Sequence, residues 1–485
     1  MDNLVLYNGG YRILNGYIPF NDYWLVTGPL MDYLNGLFFY FLGVNWTSFL
    51  IHSSIFNVLI TISTFFLFLK IGLNKNLSFF YSILFSILMY PSVGTPFVDH
   101  HSTIFIMLAF YCFIIGVIQK KYFLFTLIPL LSTFSFFSKQ TPATYGIISL
   151  FFLIVFFIIY KKDFSKKIFF IILNGSVFSL ILILFFFLIT KININNFFEQ
   201  YILYAKTIGS NRVDITGFNF LNLLIEFKFI FALLIPLFFL IPFLIKRKID
   251  TDHYFVIASI TTFSIMMVFH QKLTFNQNYI FFLIPLLAGF LHFYLKLLYS
   301  KKNIIFIFII FLCSLSVLKY HLRFNEHRKF NELEKVNIKK AIDAKEIHKS
   351  LKGLKWITAN YPNNPQNEIN DLTEAMNIIK LDGQKKSILT NYQFIAPALL
   401  IYDFSPNQWH HPTVSFPIEG QKYFEKYKNF FINNIIKNEI QIIYTVGIGE
   451  KNLVELILDN TCFQKKKKGN IIFAHKLIKN CKDFK

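Results

Sequence analysis

Acidic side chains are scarce in most of this sequence, because the first 319 of its 485 residues contain only ten Asp or Glu. Charged residues of both signs make up 15% of the chain and hydrophobic residues 54%, with a mean hydropathy of +0.49. A composition this apolar excludes an ordinary soluble protein. Since apolar runs of membrane-spanning length recur along the chain, the sequence predicts an integral membrane protein.

Cysteine is also rare, and its spacing excludes a cysteine-based metal or redox motif. Cys112 and Cys313 lie in apolar runs, whereas Cys462 and Cys481 lie near the C-terminus. The last two could form a disulfide if that terminus is outside the cytosol. We find no internal repeat and no extended low-complexity linker, and we expect no cleavable signal peptide because Met1 is followed by an acidic residue.

The net charge of +21 could indicate nucleic-acid binding, but the basic residues form short clusters between apolar runs. That arrangement is typical of the cytosolic loops of membrane proteins and argues against a nucleic-acid partner. It predicts that both termini and every alternate loop face outward. The clusters are Lys120-Lys121, Lys161-Lys162 with Lys166-Lys167, Lys246-Arg247-Lys248 and Lys301-Lys302, and the predicted cytosolic loops are 71–76, 119–121, 161–167, 246–253 and 299–302.

The apolar runs predict an α-helical polytopic membrane protein with about ten spans. Several runs are shorter than the ~20 residues that a perpendicular span needs, so those within 77–118 and 122–160 could be bent or partly re-entrant. Residues 1–47 are predicted to form a first external loop with interfacial helices, and 48–319 the transmembrane domain. The predicted spans are 48–70, 77–92, 101–118, 122–137, 142–160, 168–190, 224–245, 254–270, 279–298 and 303–319.

Residues 320–485 differ in character and predict a C-terminal extracytoplasmic α/β domain. The segment "HRKFNELEKVNIKKAIDAKEIHKSLKGL" predicts a polar helix leaving the membrane. The segments "SILTN" and "EIQIIYTVG" predict buried strands, and "TCFQKKKKGNIIFAHKL" predicts a hairpin around a basic turn.

The few acids of the first 319 residues are unevenly placed under this topology. Because carboxylates near a bilayer are costly, grouping at one interface suggests a functional site there, although any loop can collect acids. Three acids, Asp163, Asp250 and Asp252, are predicted to be cytosolic. The other seven are predicted to lie on or near the outer face: Asp2, Asp22, Asp32, Asp99, Glu199, Asp214 and Glu226.

A carboxylate and two imidazoles adjoin in "PFVDHHSTIF", just before a predicted span. Asp99, His100 and His101 could bind a phosphate or hold an acceptor by hydrogen bonds. The alternative is a helix N-terminus capped by Asp99 or Ser102. A divalent metal is possible but not supported, because neighbouring residues point in different directions on a helix.

Several basic residues lie on the predicted outer side, although Lys and Arg are usually enriched in cytosolic loops. An ammonium there could neutralise a phosphate, although a lysine reaching from an interface into water is a common alternative. Lys139 and Gln140 interrupt two apolar runs in "FFSKQTPATYG". Further candidates are Lys206, Arg212 and Lys272.

A family resemblance is carried by the first residues of the chain, namely Asp2, Tyr7, Gly10, Arg12-Ile13-Leu14, Gly16, Pro19-Phe20, Asp22, Gly28-Pro29 and Tyr33-Leu34. This pattern resembles the first external loop of GT-C membrane glycosyltransferases. The nearest branch is similar to bacterial relatives of protein O-mannosyltransferases and aminoarabinose transferases, in which an acid opens the loop and "G-x-x-P-(Y/F)-x-D" follows. The resemblance continues through "VDHHS", "SKQTPA", "NQNYIFFLIPLL" and the external C-terminal domain.

One feature departs from the family pattern. Family members have a spanning helix before this loop, with the N-terminus in the cytosol, whereas no such helix precedes Asp2 here. We therefore expect a GT-C-like fold that lacks its first helix, through a misplaced start, a truncated gene or loss of the helix.

The resemblance implies a polyprenyl-phosphate-sugar-dependent glycosyltransferase of a bacterial cytoplasmic (inner) membrane. It would transfer a sugar to a lipid, polysaccharide or protein acceptor on the outer face, without a cofactor. Expulsion of a lipid phosphate makes a general acid dispensable, so a carboxylate and phosphate-binding cations would be enough. The roles implied are catalysis by Asp2 and Asp22, phosphate contact by Lys139 and Arg212, and a sugar or acceptor pocket at Asp99 and His100; His101, Gln140 and Lys272 are further substrate-binding candidates.

Other functions remain open at this point. A transporter or flippase for lipid-linked glycans would share many spans and polar residues at an interface, but it would be expected to show broken helices in pairs. An O-antigen-type polymerase would be expected to have a large outer loop between late spans. A purely structural membrane protein is the remaining alternative.

Overall fold

The computed structural model describes residues 3–162, 165–216, 219–274, 280–299, 303–448, 453–478 and 481. The chain forms two compact units. The first, here called the terminal unit, contains residues 1–52, 187–210 and 331–485. The second, here called the helical unit, contains residues 53–186 and 211–330.

Helices dominate the first 330 residues, as the long apolar runs with few internal prolines predict. They are α1 (Asn3–Leu14), α2 (Leu30–Leu42), α3 (Trp46–Ile71), α4 (Lys75–Met89), α5 (Val98–Ile118), α6 (Leu127–Ser138), α7 (Gln140–Tyr160), α8 (Ser165–Thr190), α9 (Ile194–Phe197), α10 (Ala205–Thr216), α11 (Phe220–Glu226), α12 (Lys228–Phe239), α13 (Ile241–Lys246), α14 (Asp252–Thr274), α15 (Leu283–Leu298) and α16 (Asn303–His321).

Seven helical stretches of the described chain are long and apolar enough to cross a membrane: Trp46–Ile71, Val98–Ile118, Gln140–Tyr160, Ser165–Thr190, Lys228–Lys246, Asp252–Thr274 and Ile304–Glu326. Three shorter apolar helices, Lys75–Met89, Tyr122–Ser138 and Leu283–Leu298, account for the other predicted spans. The prediction of a helical, membrane-embedded protein is therefore confirmed. The number of ten spans stays a prediction.

The surface of the helical unit also fits an apolar surrounding. Large side chains such as Phe66, Phe151 and Leu184 are more than half exposed. Many contiguous exposed apolar side chains are unfavourable in water, so this surface is suited to lipid. The most enclosed span is α5, which packs against α6, α7 and α14 and carries the buried polar residues discussed below.

The terminal unit begins with a close helix pair. A Cβ atom on Gly10 of α1 would lie 2.6 Å from Cβ of Asn35 on α2, and one on Gly9 would lie 2.0 Å from the Asp32 carboxylate. Only glycine permits this approach of the two helices. The pair of glycines in "YNGGYR" therefore brings the Asp32 carboxylate against the backbone of α1.

The rest of the terminal unit contains a small mixed α/β region. Its strands β3 (Lys386–Thr390), β4 (Ile442–Val446), β5 (Phe463–Lys467) and β6 (Ile472–Leu477) form a sheet in the order β3-β4-β6-β5. β3 and β4 are parallel, with Lys386 opposite Ile442, and the other pairs are antiparallel. A separate two-stranded sheet joins β1 (Ile342–Asp343) and β2 (Lys355–Trp356); the helices are α17 (Pro365–Leu381), α18 (Ile395–Leu399), α19 (Phe424–Asn438) and α20 (Leu453–Ile457).

Both predicted strands and the basic hairpin of the C-terminal region are confirmed. The possible disulfide is also present, between Cys462 and Cys481. The predicted polar helix over 327–354 is wrong, because this segment consists of three-residue 3₁₀ helices, turns and strand β1. Asp343 accepts the backbone N–H of Lys345 and His348 accepts that of Ser350, and such local bonds compete with helix formation.

Candidate functional site

A fully buried carboxylate, Asp99, is the centre of the polar cluster in the helical unit. It lies in the first turn of α5 and is 0% exposed. The Lys139 ammonium donates to Asp99 Oδ2 at 2.6 Å, and His270 Nε2 of α14 lies 3.0 Å from Asp99 Oδ1. We call these three residues the Asp99 cluster. Three segments that are distant in sequence thus place an acid, a lysine and an imidazole together.

The position of Lys139 follows from a break between α6 and α7. Its backbone is extended, with φ −159° and ψ 144°, so the two helices end and begin around it. Ser102 Oγ of α5 donates to the Lys139 carbonyl at 3.2 Å, and Ser135 Oγ of α6 donates to the Ser102 carbonyl at 2.7 Å. These hydrogen bonds join the lysine-bearing segment to α5 beside Asp99.

The electrostatic arrangement favours an ionic site. The Asp99 side chain is 0% exposed and that of Lys139 is 20% exposed, so the ammonium retains partial access to its surroundings. A buried charge is tolerated only when it is paired and hydrogen-bonded. Arg212 of α10 lies close enough to His270 to interact with it electrostatically. The cluster and its surroundings therefore contain the Lys139 ammonium beside Asp99 and the Arg212 guanidinium near His270, and cations of this kind can hold an anionic group such as phosphate.

The two histidines after Asp99 make other contacts. His100 Nε2 donates to the Met89 carbonyl at the end of α4. His101 Nδ1 lies 3.2 Å from the Phe97 carbonyl, and its ring lies 4.4 Å from that of Phe56. Neither histidine is among the hydrogen-bond partners of the Asp99 carboxylate, as the different directions of neighbouring helix residues would suggest.

The remaining candidates in the helical unit lie at its segment ends. Gln140 is the first residue of α7 and is half-buried. Lys272 of α14 donates to Glu226 Oε2 at 2.9 Å, and both side chains are partly exposed. Within the described residues, His, Cys, Asp and Glu side chains form no group of three that could hold a metal ion. Independence from a metal stays a prediction.

Of the two predicted catalytic acids, Asp22 lies in the terminal unit. Asp2 lies outside the described residues. Asp22 Oδ2 accepts the Ile18 backbone N–H at 2.7 Å, and its Oδ1 lies 2.7 Å from the ammonium of Lys437 on α19. Asp22 thus fixes a turn and forms an ion pair, while its side chain stays 17% exposed. Its catalytic role stays a prediction.

The sequence predicted no role for a second buried polar network, which lies in the terminal unit around Asp32. Tyr23 donates to Asp32 Oδ2 at 2.8 Å, and Gln408 Nε2 donates to Oδ1 at 2.9 Å. Burial raises the pKa of Asp32 to about 6, although these hydrogen bonds and the charge of Arg12 act in the opposite direction. A carboxylate with neutral donors is therefore held at the contact of α1, α2 and the 403–410 segment.

Arg12 completes this network next to Asp32. Its guanidinium donates to Asp403 Oδ2 at 3.2 Å and to the carbonyls of Ser405 and Asn407 at 3.0 and 3.3 Å. Burial raises the pKa of Asp403, while the charge of Arg12 lowers it. Both side chains are almost fully buried, so this pair joins α1 to the C-terminal region without access to solvent.

His270 is the residue of the Asp99 cluster that the sequence interpretation missed. It lies two residues before Lys272, which was a candidate because of its charge. The sequence does show that His270 is an ionisable residue inside an apolar run, and such residues are costly there and mark functional sites.

Comparison of the chain with protein-family models found no match, and comparison with curated proteins found none either. The resemblance to GT-C glycosyltransferases therefore rests on the residues quoted above, and the function is a proposal.

Proposed function

We propose that the protein is a membrane glycosyltransferase that moves a sugar from a polyprenyl-phosphate carrier to a lipid, glycan or protein of the cell envelope. The observation that carries this proposal is the Asp99 cluster, an acid, a lysine and a histidine buried among apolar helices, with Arg212 near His270. Ionisable groups inside membrane-spanning segments are costly and mark substrate or ion sites. A lipid-linked phosphate is a substrate that such a site could reach and neutralise.

The chemistry needs few groups. An acceptor hydroxyl attacks the anomeric carbon, a new C–O bond forms there, and the bond to the phosphate oxygen breaks with its electron pair staying on the lipid phosphate. Lys139 and Arg212 would compensate the phosphate charge, while Asp99 holds the ammonium in place and His270 holds Asp99. The hydroxyl proton would pass to a general base such as a carboxylate.

The orientation is part of the same proposal. We place the protein in a bacterial cytoplasmic membrane with its C-terminal region outside the cytosol. The Cys462–Cys481 disulfide supports this, because disulfides persist in oxidising compartments. A Lys335→Cys variant, changed at an exposed position, tests it. A membrane-impermeant maleimide should label this cysteine in intact cells, and labelling only after the cells are opened would reverse the orientation.

The function is tested by transfer from polyprenyl-phosphate sugars to envelope extract, using purified protein in liposomes. Asp99→Asn should lower the rate by about 100-fold or more, since it removes the charge that positions Lys139. Asp252→Asn is a matched control, because Asp252 is also buried and lies 2.8 Å from a lysine that is 20% exposed, Lys161. It should transfer normally.

The free cysteines Cys112 and Cys313, both in the helical unit, report whether each variant is folded. Their reactivity with a thiol dye should match that of the unchanged protein. If folded Asp99→Asn transfers sugar at the normal rate, the Asp99 cluster is not the substrate site.

A transporter or flippase for lipid-linked glycans is the second candidate. The same observation favours it, because an acid and a histidine within spans also occur along ion and proton pathways. Liposomes with a labelled lipid-linked glycan in one leaflet separate the two functions. Movement between leaflets without a new glycosidic bond would support the transporter, and elongation of the glycan would indicate an O-antigen-type polymerase.

A further inference from the structure

Two lysines from different candidate spans of the helical unit lie over one aromatic ring. Lys228 is the first residue of α12, and Lys319 lies in the last turn of α16. The Lys228 ammonium is 5.7 Å from the centroid of the Phe229 ring, and the Lys319 ammonium is 4.8 Å from the same centroid. Phe229 in turn packs edge-to-face on Tyr320, with centroids 6.1 Å apart. The start of one span and the end of another therefore bring two cations together.

A third cation, Arg323, follows four residues after Lys319. Its guanidinium lies 5.0 Å from the ring centroid of Phe324, and that ring is nearly parallel to the ring of Tyr320. Aromatic faces attract cations, so these rings help to fix the positions of the three charged groups. We call Lys228, Lys319 and Arg323 the α12–α16 basic group.

The charge of this group is not balanced by nearby acids. Among the described residues, no carboxylate lies within 4.0 Å of any of the three cations, and all three side chains are exposed. The acids closest to them along the chain are paired with other residues: Glu226 lies 2.9 Å from Lys272, and Glu326 lies 3.4 Å from His321. The group is therefore able to accept an external anion.

An exposed apolar stripe on α16 leads to the basic group. Its members recur every three or four residues, which places them on one side of the helix. They are Phe311, Leu315, Leu318 and Leu322. Because α16 is long and apolar enough to cross a membrane, such side chains are suited to lipid tails, and cations at the end of a span are suited to lipid headgroups.

We propose that the α12–α16 basic group binds an anionic phospholipid, with the lipid phosphate between the Lys228 and Lys319 ammoniums and an acyl chain along the α16 stripe. A single lysine at the end of a span commonly extends to the interface without binding a particular lipid. Here two spans contribute cations to one ring, and no carboxylate competes for them. This inference does not depend on sugar transfer.

Retention of lipids by the full chain in detergent, followed by native mass spectrometry, tests the proposal. The probes are phosphatidylglycerol and phosphatidylcholine with identical acyl chains, so that only the headgroup differs. The test variant combines Lys228→Gln with Lys319→Gln. The matched control combines Lys75→Gln with Lys296→Gln, which removes two other exposed lysines, at the start of α4 and near the end of α15.

The unchanged protein and the matched control should retain phosphatidylglycerol about tenfold more tightly than phosphatidylcholine, and the test variant should lose this preference. Phe229→Leu keeps both charges but removes the shared ring, and it should weaken the retention of phosphatidylglycerol about threefold. The proposal would be overturned by the absence of any preference in the unchanged protein, by an equal preference in the test variant, by an equal loss in the matched control, or by unchanged retention in Phe229→Leu.

Two further measurements separate lost charge from a lost fold and identify the lipid. Lys228→Arg combined with Lys319→Arg keeps both charges and should retain phosphatidylglycerol, and the thiol reactivity of Cys112 and Cys313 should be normal in every variant. Loss of retention in the arginine variant would contradict a role of charge. Displacement of phosphatidylglycerol by an equal concentration of a polyprenyl phosphate would assign the group to a polyprenyl lipid and overturn the phospholipid assignment. Because lipid retention requires no turnover, its outcome is independent of the transfer assay.

Discussion

Two aspartates, Asp32 in the terminal unit and Asp99 in the helical unit, are fully buried but have different partners. Asp32 accepts hydrogen bonds from the neutral side chains of Tyr23 and Gln408. Asp99 is bonded to a lysine and a histidine. Asp32 is thus a carboxylate fixed where helices pack together, whereas Asp99 belongs to an ionic cluster.

The two settings suit different roles. Burial raises the pKa of Asp32, and the hydrogen bonds from its neutral donors and the charge of Arg12 do not offset this rise. The network serves mainly to specify how α1, α2 and the 403–410 segment pack. The Asp99 cluster instead includes a partly exposed cation in an apolar surrounding. A structural role therefore suits Asp32, and substrate binding suits the Asp99 cluster.

The largest effect expected in this comparison concerns Arg12, the cation next to Asp32. Arg12→Met leaves Asp403 buried without its ionic partner, and this should lower the free energy of unfolding of the terminal unit by ~3–5 kcal/mol. All four tryptophans, Trp24, Trp46, Trp356 and Trp409, lie in that unit, so denaturation followed by tryptophan fluorescence measures it. A loss below about 1 kcal/mol would show that the pair is not structurally important.

The second effect concerns Lys139 and should appear in activity. Lys139→Met should reduce sugar transfer about 100-fold, equivalent to ~2.7 kcal/mol, because the cation that we propose to bind the leaving phosphate is lost. Lys161→Met, which breaks the similar pair with Asp252, is the control and should keep its activity. The thiol reactivity of Cys112 and Cys313, which lie in the same unit, should be unchanged in both. Equal loss of activity in the two variants would mean that the loss comes from breaking a buried ion pair and not from a specific role of Lys139 in transfer.

The third effect is a pH dependence of the terminal unit. Between about pH 4 and 6, folded Asp32 holds a proton that the unfolded chain has lost, so its contribution to stability falls as pH rises and is constant above about pH 6. A pKa change from 3.8 to about 6 corresponds to ~3 kcal/mol. The measurement is the difference between Asp32→Asn and the unchanged protein by tryptophan fluorescence. A difference independent of pH would contradict the raised pKa.

The smallest effect concerns one hydrogen bond of Asp32. Tyr23→Phe removes the hydroxyl that donates to Oδ2 at 2.8 Å and should cost ~1 kcal/mol. It should also raise the pKa of Asp32 further, because that hydrogen bond favours the charged form. The same fluorescence titration would show the pH-dependent range moving upward. If the pH range over which stability changes stays the same, the Tyr23 hydrogen bond does not influence the pKa of Asp32.

Much of the helical fold could be predicted from apolar runs, because every predicted span corresponds to a helix. The segment 327–354 could not, since its polar residues also form local bonds to their own backbone and sequence pattern does not show which alternative prevails. Asp99 and Lys139 were each singled out as interruptions of apolar sequence. Their pairing was not predicted, because 40 positions separate them and only the packing of α5 against the α6–α7 break joins them.

The sequence by itself determined the helical membrane character, the basic loops and the strands of the C-terminal region, because these depend on local hydrophobicity and periodicity. Only the tertiary structure decided that His270 joins Asp99 and Lys139, that Asp22 pairs with Lys437, and that Asp32 receives neutral donors from Tyr23 and Gln408. These outcomes depend on contacts between distant segments. The environment of each carboxylate is therefore a property of the packed chain, although the carboxylate itself is visible in the sequence.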